Sequence, residues 1–497
     1  MPLFITSPTN RHGVFARSVN PPAQARRSSN GVVGIAGQFP WGPKDTLVTI
    51  TNPADLYRTF APPGFTQTGS AMTGLSNFGF PTLKVVRALG TASAAATANV
   101  AKVGPVTILT WTAKYHGLAG NSMTVTAAAA SDGDANHANY TVTMTNAFGT
   151  TSEVYRNINV SGVGTQLLPD VTNSALIATV TTPATGVPIL GSNAFSGGAD
   201  GTIDAAAYSG TAGTGNKGIA LLESDPLIRH IMTDDPGNTL RAGCNAALKT
   251  QAETLGDRVA HISYNSGTLA VATVQADALT YVSENVVYSD VWANVYDMTR
   301  VLSLIPPHFA SACLASNLSP STPFSWRDNT ARKFLGGIQS LEFSRASDAG
   351  NNTDLGICTL IPYAGGGFAF ESSVVTINRT TPSKGDCTRT QMLVYIAYAA
   401  LAGLQAYVDA PNVKVNQDDA TAVVDGILSG LKSEALQNPN NKPFIVDYQI
   451  IPRATMNSQA DIDAGVFSIG SNVKFASGMG QIIYQIQGGK TVNISVS

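Results

Sequence analysis

Charge is scarce in this chain. Only 12% of its 497 residues are Asp, Glu, Lys or Arg, against ~25% in an ordinary soluble protein, and the formal net charge is -2. With Lys and Arg nowhere clustered, the chain lacks what a nucleic-acid or anionic-membrane binder needs. Weak surface charge also removes the self-repulsion that keeps copies of a protein apart, which permits self-assembly without requiring it.

Cysteine and histidine are equally thin. Cys244, Cys313, Cys358 and Cys387 are too few and too widely spaced for a disulfide framework, and none forms a CxxC pair, so reduced, buried thiols are expected. The six histidines never fall at metal-ligand spacing, and HExxH is absent. So is the GxSxG elbow of a serine hydrolase. The glycine-rich stretch 210–218 places Asn216 between its last motif glycine and Lys217, so it reads as a linker and not as a phosphate loop. No catalytic, cofactor or metal residue is expected from these motifs. No run reaches the ~20 strongly apolar residues of a membrane span; the nearest, Met392 to Val408, is rich in Ala, Tyr and Gly and reads as a buried or interfacial helix. No basic segment followed by an apolar stretch opens the chain, so cytoplasmic synthesis is the expectation.

One acidic pair remains. Asp234-Asp235 follows a predicted strand, where an α/β enzyme would hold catalytic carboxylates, but Pro236-Gly237-Asn238 comes next and favours a turn and helix start. Glu223, Asp225 and Glu284 stand alone and read as solvated.

What is present is alternation. Gly31 to Phe39 reads as a buried strand, Asn52-Pro53 as the cap and first residue of a helix, Ser70 to Phe78 as a second helix and Thr82 to Ala88 as a strand. From Thr91 to Gly218 the chain turns to Ala, Thr, Gly, Ser and Asn, with runs such as Met123 to Thr126 and Tyr140 to Thr145 that predict exposed β-strands of an inserted domain. Strand and helix then alternate again: strand Leu227 to Met232, helix Thr239 to Leu255, strand Arg258 to Tyr264, helix Leu269 to Val282 and strand Val286 to Trp292. Leu355 to Ile377 reads as extended. Helices are predicted over Arg389 to Tyr407 and Asp418 to Leu436, and strands over Phe444 to Pro452, Val466 to Phe475 and Gln481 to Gln487.

Both ends look like arms. Thr491, Val492, Asn493, Ile494, Ser495 and Val496 alternate polar and apolar behind a Gly488-Gly489 hinge, and Gly13, Val14, Phe15, Ala16, Arg17 and Val19 form a strand-like run before a Pro-rich stretch. A terminal strand cannot satisfy its own backbone, so each needs a sheet edge, in its own molecule or in a neighbour.

Several of these segments resemble the tail sheath proteins of contractile phage tails and related contractile injection systems. Gly13-Val14-Phe15 is similar to that family's opening strand, Gly31 to Gly37 with Trp41-Gly42-Pro43 to its first core strand and turn, and Ala113-Lys114-Tyr115-His116-Gly117 with Gly120-Asn121 and Phe195 to Gly201 to two of its turns. The resemblance implies an α/β and α+β multidomain fold with nested, discontinuous domains. These would be a mixed-sheet tube-proximal domain (1–30 plus 380–497), a middle α/β layered domain (31–90 plus 219–379) and a β-rich outer insertion (91–218), with extended N- and C-terminal arms. It implies a structural subunit of a virion tail assembled in the host cytoplasm as stacked hexameric rings, whose partners are copies of itself, an inner tail tube protein, and baseplate and tail terminator proteins, with no nucleic acid and no membrane insertion. Arm strands would pair between subunits, and Lys432, Lys442 and Arg453 are candidates to face the tube. Two other classes stay open: an α/β enzyme with an inserted β-domain using Asp234 or Asp235, and a surface carbohydrate-binding protein or adhesin built on the Thr91 to Gly218 region.

Overall fold

The computed structural model describes residues 32–63, 69–146, 149–162, 168–211, 217–297, 300–318, 334–363, 366–382, 385–407, 413–437, 445–460 and 467–475. They divide into two compact units, with the boundary between Thr390 and Gln391.

Val32–Gly37 is buried at every position, which requires apolar or small residues on both of its faces. Val33 and Ile35 point into one core with Leu56, Phe60, Leu75 and Phe309. Val32 and Ala36 point into another with Ile219, Leu222, Leu248 and Val274. The strand is therefore central in a sheet covered by helices on both sides. Among the described residues that sheet has eight strands, in the order Phe368–Phe370, Ile357–Pro362, Val286–Asp290, Val259–Ser263, His230–Thr233, Val32–Gly37, Thr82–Arg87, Leu47–Ile50. Its inner strands are all parallel, and each edge strand is antiparallel to its neighbour. Asn52 caps the helix Pro53–Phe60 by accepting the Asp55 N–H, as its sequence predicts. The helices Asn238–Leu255 and Val271–Ala278 follow successive strands, in keeping with the α/β alternation.

Residues 95–194 form two antiparallel sheets around a core of their own. One sheet orders Gly191–Ala194, Met123–Ala129, His137–Asn146 and Gly149–Asn159; the other orders Ala95–Lys102, Val106–His116 and Ile177–Thr181. The strands expected to be exposed are half-buried instead. Met123, Val125 and Ala127 face inward with Tyr140, Val142 and Met144 around the fully buried Trp111, while the intervening threonines face outward. Trp41, from outside that stretch, completes this core and meets Tyr115 edge-on at 5.3 Å.

The smaller unit carries most of the helix Cys387–Leu404, the helix Lys414–Gln437 and an antiparallel pair, Ile445–Ile450 with Ser471–Phe475. Val424 and Leu428 bury one side of Lys414–Gln437 against Ile396, Ile445 and Val473. This helix begins a turn before the predicted Asp418-Asp419 start, and the pairing strand begins at Ser471 and not at Val466. Among the described residues no helix is long and apolar enough to cross a membrane.

The sequence left unassigned the helix Pro307–Leu318, which packs on the central strands, and the small sheet of Leu302–Ile305, Ala293–Tyr296 and Ile338–Leu341. The helix's polar residues His308, Ser311 and Ser316 are buried and mark no solvent-facing stripe that would set a helical period.

Candidate functional site

Three of the segments that carried the family resemblance, around Trp41-Gly42, His116 to Asn121 and Gly198 to Asp200, meet at one point. Arg87, the last residue of Thr82–Arg87, is fully buried, and its guanidinium donates to four carbonyls: Phe39 at 2.5 Å, Gly42 at 2.9 Å, His116 at 2.7 Å and Pro40 at 3.1 Å. Burial lowers its pKa to about 10, so it remains a cation at neutral pH. Around it the two turns lock together. Asn121 donates to the Gly198 carbonyl at 2.9 Å and accepts the Gly198 N–H at 2.8 Å, while Asp200 accepts the Leu118 N–H at 3.1 Å. Gly117 has φ +121°, and a Cβ there would come within 2.6 Å of both Arg87 Nη2 and Asp200 Oδ1. The glycines of these turns therefore answer to a packing need, and Arg87 is the residue that sequence reasoning missed. A lone arginine at a strand end carries no signal by itself.

The acidic pair is committed within its own chain. Asp234 ends the parallel strand His230–Thr233 beside Val32–Gly37, where strand order reverses and an open α/β sheet forms its ligand crevice. Asp234 accepts the Gln38 N–H at 2.6 Å and the Tyr208 hydroxyl at 2.8 Å, and burial pushes its pKa up to about 7. A Cβ on Gly37 would lie 2.9 Å from its carboxyl carbon, so little space is left there. Asp235 accepts the Gly237 N–H and pairs with Arg241, whose guanidinium lies 4.7 Å over the Trp292 ring. The turn reading holds: Asp235 closes the loop that leads into Asn238–Leu255. Two carboxylates read as solvated are paired instead, Asp225 with Lys84 at 2.6 Å, both mostly buried, and Glu284 with Arg389 at 3.2 Å. The four cysteines are free and buried, and no group of metal-ligating side chains forms among the described residues.

Of the candidate assembly residues, Lys432 and Arg453 fall in the smaller unit. The arm positions Gly13, Val14, Phe15, Ala16, Arg17, Val19, Thr491, Val492, Asn493, Ile494, Ser495 and Val496, the hinge Gly488-Gly489, the predicted strand Gln481 to Gln487 and Lys442 lie outside the described residues. Lys432 pairs with Asp447 at 2.7 Å and lies 5.8 Å from the Tyr448 ring centre. It borders an open groove of about 560 Å³ between the helix and strand Ile445–Ile450, lined also by Asp425, Ser429, Ser433, Tyr448 and Ile450. Arg453 pairs with Gln417 at 2.8 Å and Asp418 at 3.4 Å near the start of the same helix, about 20 Å from Lys432 at 1.5 Å per residue. The two basic residues are therefore not one cluster. Strands Ile445–Ile450 and Ser471–Phe475 pair only with each other among the described residues, leaving both outer edges of the pair without a further strand there.

No protein-family model and no curated protein sequence matches this chain. Solved structures do. A sheath tail protein from Listeria innocua aligns over 92% of this chain and 98% of its own, at 15% identity and a TM-score of 0.60. A sheath tail protein from Desulfitobacterium hafniense covers 88% and 93% at 14% identity, TM-score 0.59. The helical sheath of the anti-feeding prophage in its contracted state covers 97% and 100% at 10% identity, TM-score 0.57. The chain has the fold of the contractile tail sheath proteins.

Proposed function

We propose that this chain is the structural subunit of a contractile tail sheath. It polymerises as stacked hexameric rings around an inner tail tube, and its contraction drives the tube through a target cell envelope. The observation that carries this reading is the likeness over nearly the whole length to a subunit of a contracted helical sheath. A strand pair with both outer edges open among the described residues, and chain ends whose alternation suits an added strand, support it.

On this reading 1–30 plus 380–497 is the tube-proximal domain, 31–90 plus 219–379 is the middle domain, and 91–218 faces outward. Strand Thr491 to Val496 of one subunit, or Gly13 to Val19 of another, extends the pair Ile445–Ile450 and Ser471–Phe475. Five or so main-chain bonds at ~0.5–1.5 kcal/mol each, with burial of Val492, Ile494 and Val496, outweigh the ordering of an arm only modestly, so stability comes from many such pairings in a closed lattice. Lys432, Lys442 and Arg453 face the tube, and baseplate and terminator proteins cap the ends. The product is part of a virion tail, assembled in the host cytoplasm. Negative-stain microscopy of concentrated, purified chain tests this: tubes or rings are expected, and a strictly monomeric sample would overturn it.

A further inference from the structure

Three of the six histidines, far apart in sequence, meet beneath the helix Pro307–Leu318. His230 and His261 lie on adjacent parallel strands, with Nδ1 of the first 3.1 Å from Nε2 of the second, and His261 Nδ1 is 2.6 Å from the Ser311 hydroxyl on the helix. His308, also on the helix, donates from Nε2 to the Thr233 carbonyl at 3.0 Å, so its Nδ1 is left to accept the Ser263 hydroxyl at 2.8 Å. All three rings are 1–2% exposed. In this arrangement His308 Nδ1 accepts, and of His230 Nδ1 and His261 Nε2 one donates while the other accepts, so a second ring proton would turn one of these acceptors into a donor.

Among the described residues, the carboxylates near such a proton are already held by other partners. Helix Gly69–Asn77 and strand Val32–Gly37, which pack on Pro307–Leu318, hold no titratable side chain. Arg241, on Asn238–Leu255, opposes charge on His308. Asp235 is paired with Arg241, Asp290 at the end of Val286–Asp290 is paired with Arg345 at 2.8 Å, and Asp234 is held by Gln38 and Tyr208. Cys313, the remaining titratable group on the helix, is a buried thiol.

We propose that the His230–His261–His308 network is an acid-sensitive latch that joins helix Pro307–Leu318 to the parallel sheet, and that acid opens this helix ahead of the rest of its unit. It holds whether or not the chain polymerises. The sign follows from burial: His261 and His308 are pushed down, His308 to about 3, so the latch is whole above the ~6.5 of a free imidazole and weakens as pH falls through 6.5 toward 3.

Hydrogen exchange of the full chain at pH 7.5, 6.0 and 5.0, corrected for intrinsic rates, tests it peptide by peptide. The helix should lose protection by tenfold or more per pH unit below about 6.5, up to ~100-fold if both imidazoles charge together, while the strands of 95–194 change little. His308→Gln keeps a donor toward Thr233 but cannot charge, and should flatten the slope by about tenfold per unit. Nitrogen chemical shifts of the imidazoles in the unsubstituted chain give an independent check if that variant does not fold. Protection of 307–318 that ignores pH or falls only with the whole unit would overturn the latch, as would His261 and His308 titrating near 6.5 with the helix still protected.

Discussion

Arg87 Nη1 donates to the backbone carbonyl of His116 at 2.7 Å, across the boundary between the eight-stranded sheet and the β-rich insertion. With its bonds to Phe39, Pro40 and Gly42, one buried side chain ties the first core turn to the end of the insertion's strand Val106–His116. Arg87→Met keeps most of the volume and leaves four carbonyls without this donor. It should cost about 3–5 kcal/mol in urea unfolding, and Arg87→Lys should recover only part of that because one ammonium cannot span the planar fork. A loss under about 1 kcal/mol would remove Arg87 from this role.

Gly117→Ala tests the same knot from the other side. Its positive φ and the contacts a Cβ would make with Arg87 and Asp200 predict a loss of about 2–4 kcal/mol, whereas Gly133→Ala, also at positive φ but with nothing within 4 Å of a Cβ, should cost less. Equal losses would show that backbone strain alone matters at Gly117.

Asp234 gives a pH signature opposite in sign to the histidines. Its folded pKa of about 7 lies above the ~3.9 of a free Asp, so the folded chain holds this proton more tightly. The stabilisation is full below about pH 4 and is lost as pH rises to about 7. Asp234→Asn cannot titrate. Relative to the unsubstituted chain it should therefore be more favourable at pH 8 than at pH 5 by about 2 kcal/mol, read from urea midpoints. A difference of the reverse sign would contradict the buried, proton-holding carboxyl.

Lys432→Glu with Arg453→Glu tests the tube-facing proposal. Both side chains pair at the surface, so the melting temperature should hardly move, while assembly on an inner tube, followed by co-sedimentation, should be lost. Undiminished co-sedimentation would point the tube contact elsewhere.

The parallel layer was legible because its strands and helices repeat their periods cleanly: Asn52-Pro53 marked a helix start, and the alternation after Gly218 gave successive strand and helix positions to within a few residues. Pro307–Leu318 was not, since its polar residues His308, Ser311 and Ser316 are buried and mark no solvent face, and its covering role depends on strands far away in sequence. The same holds for Arg87 and the three histidines. Parallel pairing of Val32–Gly37 with Thr82–Arg87 sets the place of Arg87, and that of His230–Thr233 with Val259–Ser263 brings His230 to His261, which local pattern does not announce. Asp225 and Glu284 looked solitary for that reason too, since Lys84 and Arg389 come from distant elements.

Helical reconstruction by electron cryo-microscopy of the polymer formed by the full chain, beside a chain lacking Lys490 to Ser497, tests the central claim most directly. The account predicts density for Thr491 to Val496 as a strand hydrogen-bonded to Ile445–Ile450 or Ser471–Phe475 of a different subunit, and no polymer from the truncated chain, which stays folded. A terminal strand folded back onto its own molecule, or tubes assembled equally well without it, would contradict it.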